Sequence, residues 1–156
     1  MESFAEVINL FGTFDLQLMF NSVMKELSNE IIELNQIKQL ADGYDANGLK
    51  IKTLKAEQQG NKAYSSFTIG QRKAKGLQTS NVDLKDTGVF WKSFSVIKVN
   101  SGWQVQADFN IHGEDIMGNF DSKYDFTGLT QNNLEVLVYD SIIPKLTILI
   151  RKHFKI

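Results

Sequence analysis

The sequence predicts an α+β fold: a long N-terminal helix and a C-terminal helix packed on a small antiparallel β-sheet, with a long polar loop between them. Three observations predict it. Apolar residues recur three or four apart from Phe14 to Ala41 and again from Leu134 to Ile150, as the buried stripe of a helix requires. Between those stretches Trp103, Val105, Ala107 and Phe109 alternate strictly with Gln104, Gln106, Asp108 and Asn110, the period-two pattern of a half-buried strand. At 156 residues, with 42% hydrophobic and 22% charged residues, the chain reads as one domain, 1–156, long enough to bury a core without staples.

The first helix carries Leu16, Met19, Val23, Leu27, Ile31, Leu34, Ile37 and Ala41 on one stripe, with Thr13 or Asp15 to cap its start and Gly43 to end it. Its other face, with Lys25, Glu26, Asn29, Glu33 and Lys38, reads as solvated. Ahead of it, residues 1–12 form an apolar arm, with Phe4, Val7, Ile8 and Phe11 as candidate interface residues. Such an arm either folds onto the core of its own chain or reaches a neighbouring subunit.

Residues 42–82 turn polar and Gly-spaced and are expected as a long loop. Asp45-Ala46-Asn47-Gly48 is a strong turn signal, and residues 50–59 are open to either a helical or an extended reading. The stretch Leu84-Lys85-Asp86-Thr87-Gly88-Val89-Phe90-Trp91-Lys92-Ser93-Phe94 follows. Asp86 or Thr87 supplies a cap for a short helix, Gly88 allows the backbone to turn, and Leu84 and Phe90 close over the entry as an apolar clamp. Residues 93–99 then pair with the alternating strand across the Asn100-Ser101-Gly102 turn, giving a hairpin with one wet face. The last helix begins at Thr130, a good cap, and Pro144 within it predicts a kink or break.

With 17 basic against 18 acidic residues and a net charge of -1, nothing draws the whole chain to nucleic acid or to acidic membranes. The absence of cysteine excludes disulfides, thiolate metal sites and a cysteine nucleophile. The acidic start Met1-Glu2-Ser3-Phe4-Ala5-Glu6 differs from a secretory signal, and no stretch is long and apolar enough to span a bilayer, so the chain is read as cytosolic at synthesis.

Chemistry finds little support. His112-Gly113-Glu114-Asp115 contains ligand types, but no second histidine is supplied, and a polar loop after a strand is the plainer reading; no metal and no cofactor is expected. No nucleophile elbow, Ser-x-x-Lys pair or phosphate loop is present, so no enzyme is expected. The one basic cluster, Arg72, Lys73 and Lys75 between Gly70 and Gly76, suits phosphate contact in a loop; it supports an alternative reading as a small nucleic-acid-binding module. The aromatics Phe90, Trp91, Phe94, Trp103 and Phe109 fall on core faces.

Three phrases in order resemble the tailed-bacteriophage virion-morphogenesis and tail-completion family, the neck and connector proteins that join heads to tails. Residues 65–76 are similar to a Ser-x-x-Thr-x-x-x-Lys-x-x-Gly phrase, residues 84–94 to Leu-x-x-Thr-Gly-x-Leu-x-x-Ser-Ile, and Phe126-Thr127-Gly128-Leu129-Thr130 to the phrase before the family's C-terminal helix. The resemblance implies a structural virion subunit without catalysis. The resemblance further implies a sixfold or twelvefold homo-oligomeric ring between portal or adaptor and tail proteins, with room for non-specific DNA contact in the lumen through the residue 66–76 loop. Asp86, Thr87 and Gly88 become candidate interface residues on the same ground.

Overall fold

The computed structural model describes residues 11–156, and it is an α+β structure with a long C-terminal helical element. Helix α1 (Leu16–Glu26) starts where the Asp15 carboxylate accepts the Leu18 N–H at 2.9 Å, satisfying one of the orphan donors of a first turn. The single helix expected from Phe14 to Ala41 is divided. At Leu27 the chain leaves helical geometry, with φ -82° and ψ 2°, before α2 (Ser28–Gln36) continues. The cause is local: the Ser28 hydroxyl donates back to the carbonyls of Met24 (3.2 Å) and Lys25 (2.9 Å), competing with the regular ladder. The buried stripe survives the joint, since Val23, Met24, Leu27, Ile31 and Leu34 are all buried. Its two ends do not, because Leu16 and Ile37 are exposed. A 3-10 turn (Leu40–Asp42) closes the segment in place of further α-helix.

The expected loop of residues 42–82 contains two short helices, α3 (Leu54–Gln58) and α4 (Ser66–Ala74), and contributes Ile51, Ala56, Ala63, Tyr64 and Val82 to the buried interior. It is a wall of the core and not a free loop. A single helical turn, α5 (Val89–Lys92), leads into the hairpin of β1 (Ser95–Val99) and β2 (Gly102–Gln106), paired from Ser95 with Gln106 to Val99 with Gly102. The second strand stops short of the Phe109 that alternation predicted. At Asp108 the backbone N–H turns aside to the Ser93 hydroxyl at 2.9 Å, which ends the ladder. A second small ribbon pairs β3 (Asn110–Ile111) with β4 (Glu114–Asp115). Its two-residue turn, His112-Gly113, has positive φ at both positions, as the tight hairpin turn that matches strand twist demands.

The C-terminal element consists of α6 (Gln131–Val136), a π-helical segment (Leu137–Ile142) and α7 (Ile143–Phe154). At Pro144, where a kink or break is expected, the backbone stays helical but changes type, from π-helix up to Ile142 to α-helix from Ile143. The wider turn placed directly before the proline relaxes the demand for the N–H···O bond that proline cannot make.

Two apolar clusters result. One gathers Leu40, Ile51, Tyr64, Val82, Phe90, Phe94, Tyr124 and Phe126; the other joins Val23, Met24, Leu27, Ile31 and Leu34 to Leu137 and Ile142 of the C-terminal element. Val105 of β2 packs against both, so the hairpin is the shared wall between them. No helix among the described residues is long and apolar enough to cross a membrane.

Candidate functional site

A dense polar network lies where α4 meets residues 77–91. Helix α4 is framed by its own sequence. The Ser65 hydroxyl accepts the Thr68 N–H at 3.2 Å at one end. At the other end Gly76 (φ 70°) allows the Gly76 N–H to reach the Lys73 carbonyl (3.0 Å) and the Leu77 N–H to reach the Arg72 carbonyl (2.9 Å). Those paired closing bonds are a Schellman cap, which requires a left-handed residue where glycine sits.

That cap aims Arg72 inward. Its side chain lies beside Asp83, with side-chain exposures of only 7% and 10%. One guanidinium nitrogen, Nη2, donates to both Asp83 carboxylate oxygens at 2.9 and 3.0 Å; Nε donates to the Gln78 carbonyl at 2.7 Å and Nη1 to the Lys85 carbonyl at 3.2 Å. The Tyr64 ring lies 4.6 Å from the guanidinium carbon, close enough for cation–π attraction. Asp83 accepts further bonds from the Tyr64 hydroxyl (3.1 Å), the Gln78 side-chain amide (2.6 Å) and the Lys85 N–H (2.9 Å), while its carbonyl accepts the Trp91 indole N–H (2.8 Å). Burial, reinforced by the Asp83 carboxylate, pushes the Tyr64 phenol well above its ordinary value, so it serves as a neutral hydrogen-bonding group. A buried charge pair survives only when each lone pair and proton is met in this way.

This corrects the reading of Arg72 as a phosphate contact in a loop. It is a buried helical residue with its donors already engaged. Lys75 bonds to the Asp86 carboxylate at 2.8 Å on the surface, and Lys73 is exposed on α4. Asp86 therefore does not cap α5. The cap position is Gly88 in the left-handed region (φ 81°), and the Thr87 hydroxyl accepts the Val89 N–H only at 3.4 Å. Leu84 and Phe90 do both pack in the first cluster, as the expected clamp requires, with Leu84 held at a positive φ of 54° by the Asp83 bonds on either side.

A second polar unit, not anticipated from the sequence, ties the Phe126–Thr130 segment to α2. The Asn35 side-chain amide donates to the carbonyls of Phe126 (3.0 Å) and Gly128 (2.7 Å), and that of Gln39 donates to Gly128 (3.0 Å). The Gln39 oxygen accepts the Thr130 N–H at 2.9 Å, and Asn133 reaches the Leu34 carbonyl at 3.1 Å. Asn35 lies in the last turn of α2, whereas Gln39 stands in the non-helical turn after it (φ -138°, ψ -71°). Both bring the third resembling phrase onto the helical layer.

Beside it a cleft of about 350 Å³ is lined largely by Met24, Ile31, Val96, Trp103, Leu129 and Leu137. The Asp125 side chain also lines it, with its Oδ1 accepting the N–H groups of Thr127 (3.0 Å) and Gly128 (3.1 Å). Among the described residues no group of three His, Asp or Glu side chains is placed to hold a metal ion. His112 occupies the β3–β4 turn, and the Asp115 carboxylate caps the Met117 N–H at 2.9 Å.

Of the proposed arm, Phe4, Val7 and Ile8 lie outside the described residues. The Phe11 ring packs 5.1 Å from Phe154 at the end of α7, and Phe14 joins it at 5.2 Å. No family model, curated protein or solved structure matches this chain.

Proposed function

We propose that this chain is a structural subunit of a tailed-bacteriophage head-tail junction, one copy in a sixfold or twelvefold ring between portal and tail, catalysing no reaction. The three phrases carry the resemblance. What supports the reading is the exposure of Phe67, 74% open to solvent, on the first turn of the locked helix α4. An aromatic ring held out on an element anchored by a buried ion pair is the kind of rigid knob from which protein–protein contacts draw their energy. On the same helix the Arg72 side chain is used in scaffolding, which suits a part whose task is shape.

Light scattering together with negative-stain imaging of the full chain at high concentration tests this. The expected result is closed rings, with Phe67→Glu folded by circular dichroism but unable to close them. Rings indifferent to Phe67→Glu would remove this contact, and failure to form rings alone or with a portal would overturn the reading.

A further inference from the structure

The solvent face of the C-terminal element is apolar in its middle and oppositely charged at its ends. Tyr139 is 66% exposed, Ile143 45% and Ile148 65%, while Asp140, Pro144, Thr147, Arg151 and Lys152 are exposed beside them. The Thr147 hydroxyl is turned back to the Ile143 carbonyl at 2.8 Å, so it asks nothing of a partner. The opposite face is firmly seated: Leu137 and Ile142 are buried, Lys145 pairs with Glu26 of α1, and Ser141 bonds to Glu30 of α2. The acid Asp140 lies toward the start of the face and the bases Arg151 and Lys152 toward its end, and neither Asp140 nor Arg151 makes an ion pair within its own chain among the described residues.

We propose that a second copy of this chain docks antiparallel on this face, forming a two-fold pair. An antiparallel pair of identical helices matches residues whose numbers add to a constant. With the two-fold axis between Lys145 and Leu146, Ile143 of one chain meets Ile148 of the other and Pro144 meets Thr147. In the same register Asp140 meets Arg151, and Tyr139 meets Lys152, ring against ammonium. Each contact occurs twice, as an isologous interface requires. Apolar residues then lie at the centre and complementary charges at the rim, the usual anatomy of a specific interface. A parallel arrangement would instead set acid beside acid and base beside base.

This contact is separate from the ring contact at Phe67 and does not depend on it. A two-fold contact pairs two chains and cannot by itself close a ring, whereas a head-to-tail contact can. Sedimentation equilibrium over a concentration series, in the Phe67→Glu background that breaks the ring contact, isolates it. The expected result is a monomer–dimer equilibrium that Ile148→Glu weakens by about tenfold or more. Asp140→Arg and Arg151→Asp should each weaken it, and the double variant, which restores both charge pairs with their signs exchanged, should recover most of the affinity. A chain that stays monomeric throughout overturns the proposal, as does a dimer unaffected by Ile148→Glu. A double variant no stronger than the single ones overturns the antiparallel register.

Discussion

The helical layer and the segment from Tyr64 to Trp91 are held in opposite ways. In the first, Val23, Leu27, Ile31 and Leu34 gather with Leu137 and Ile142 in one apolar cluster, and most of its stability comes from area removed from water. In the second, a short helix and an irregular strand of backbone are fastened by one charge pair and the bonds that converge on it. Apolar packing is forgiving in detail, since neighbours relax into a partly emptied site. A buried charge pair is all or nothing, because removing one member strands the other.

The sharpest test of that contrast is Asp83→Ala, which leaves the Arg72 guanidinium buried without its counter-ion. A loss of about 4 kcal/mol in chemical denaturation is expected. Replacing both partners together, as Arg72→Met with Asp83→Leu, should return a large part of the loss, because no stranded charge remains. A double variant as unstable as the single one would show that the network of bonds, and not the orphaned charge, carries the energy.

In the helical layer Leu27→Ala should cost about 3 kcal/mol, the lost transfer of its side chain plus the partly unfilled space it leaves. No single second substitution should rescue it. Since Leu27 also sits at the non-helical joint, a much smaller loss would mean that alanine lets α1 and α2 join regularly and offsets part of the cavity.

The smallest effect belongs to Tyr64→Phe, about 1 kcal/mol at neutral pH for the lost hydroxyl bonds to Asp83. Its pH dependence is more telling. The folded-state phenol ionises well above its ordinary 10.0, through burial first and the Asp83 carboxylate second. Below that ordinary value both folded and unfolded states keep the proton, and the bonds contribute fully. As pH rises past it the unfolded state ionises while the folded state does not, so stability falls. The difference between wild-type and Tyr64→Phe stability curves should therefore be flat through neutral pH and shrink in the alkaline range.

The same contrast explains what the residues disclosed. Val23 to Leu34, the Trp103 alternation and the Asn100-Ser101-Gly102 turn are periodic or contiguous signals, and each produced its element. Arg72 was misread because its partner, Asp83, lies across an irregular turn that has no period. Yet Ser65 and Gly76 were visible at helix-cap spacing, and weighing them together would have made the segment a helix and not a loop. Asn35 and Gln39 were missed for a related reason: a side-chain amide reads as solvated unless the carbonyl it meets is known, and Gly128 lies far along the chain. The π segment left no trace beyond Pro144 itself.

That π segment has a consequence for how the C-terminal element counts. A turn that takes in one residue more than an α-turn rotates everything after it by about 100° relative to everything before. Residues 131–136 and 143–154 thus keep different phases on what looks like one rod. Leu137 and Ile142, five apart, both point to the interior, which uninterrupted α-helix would not allow. The widened turn works as a phase adjuster, letting Asn133 in the first half reach the end of α2 while the second half docks on α1.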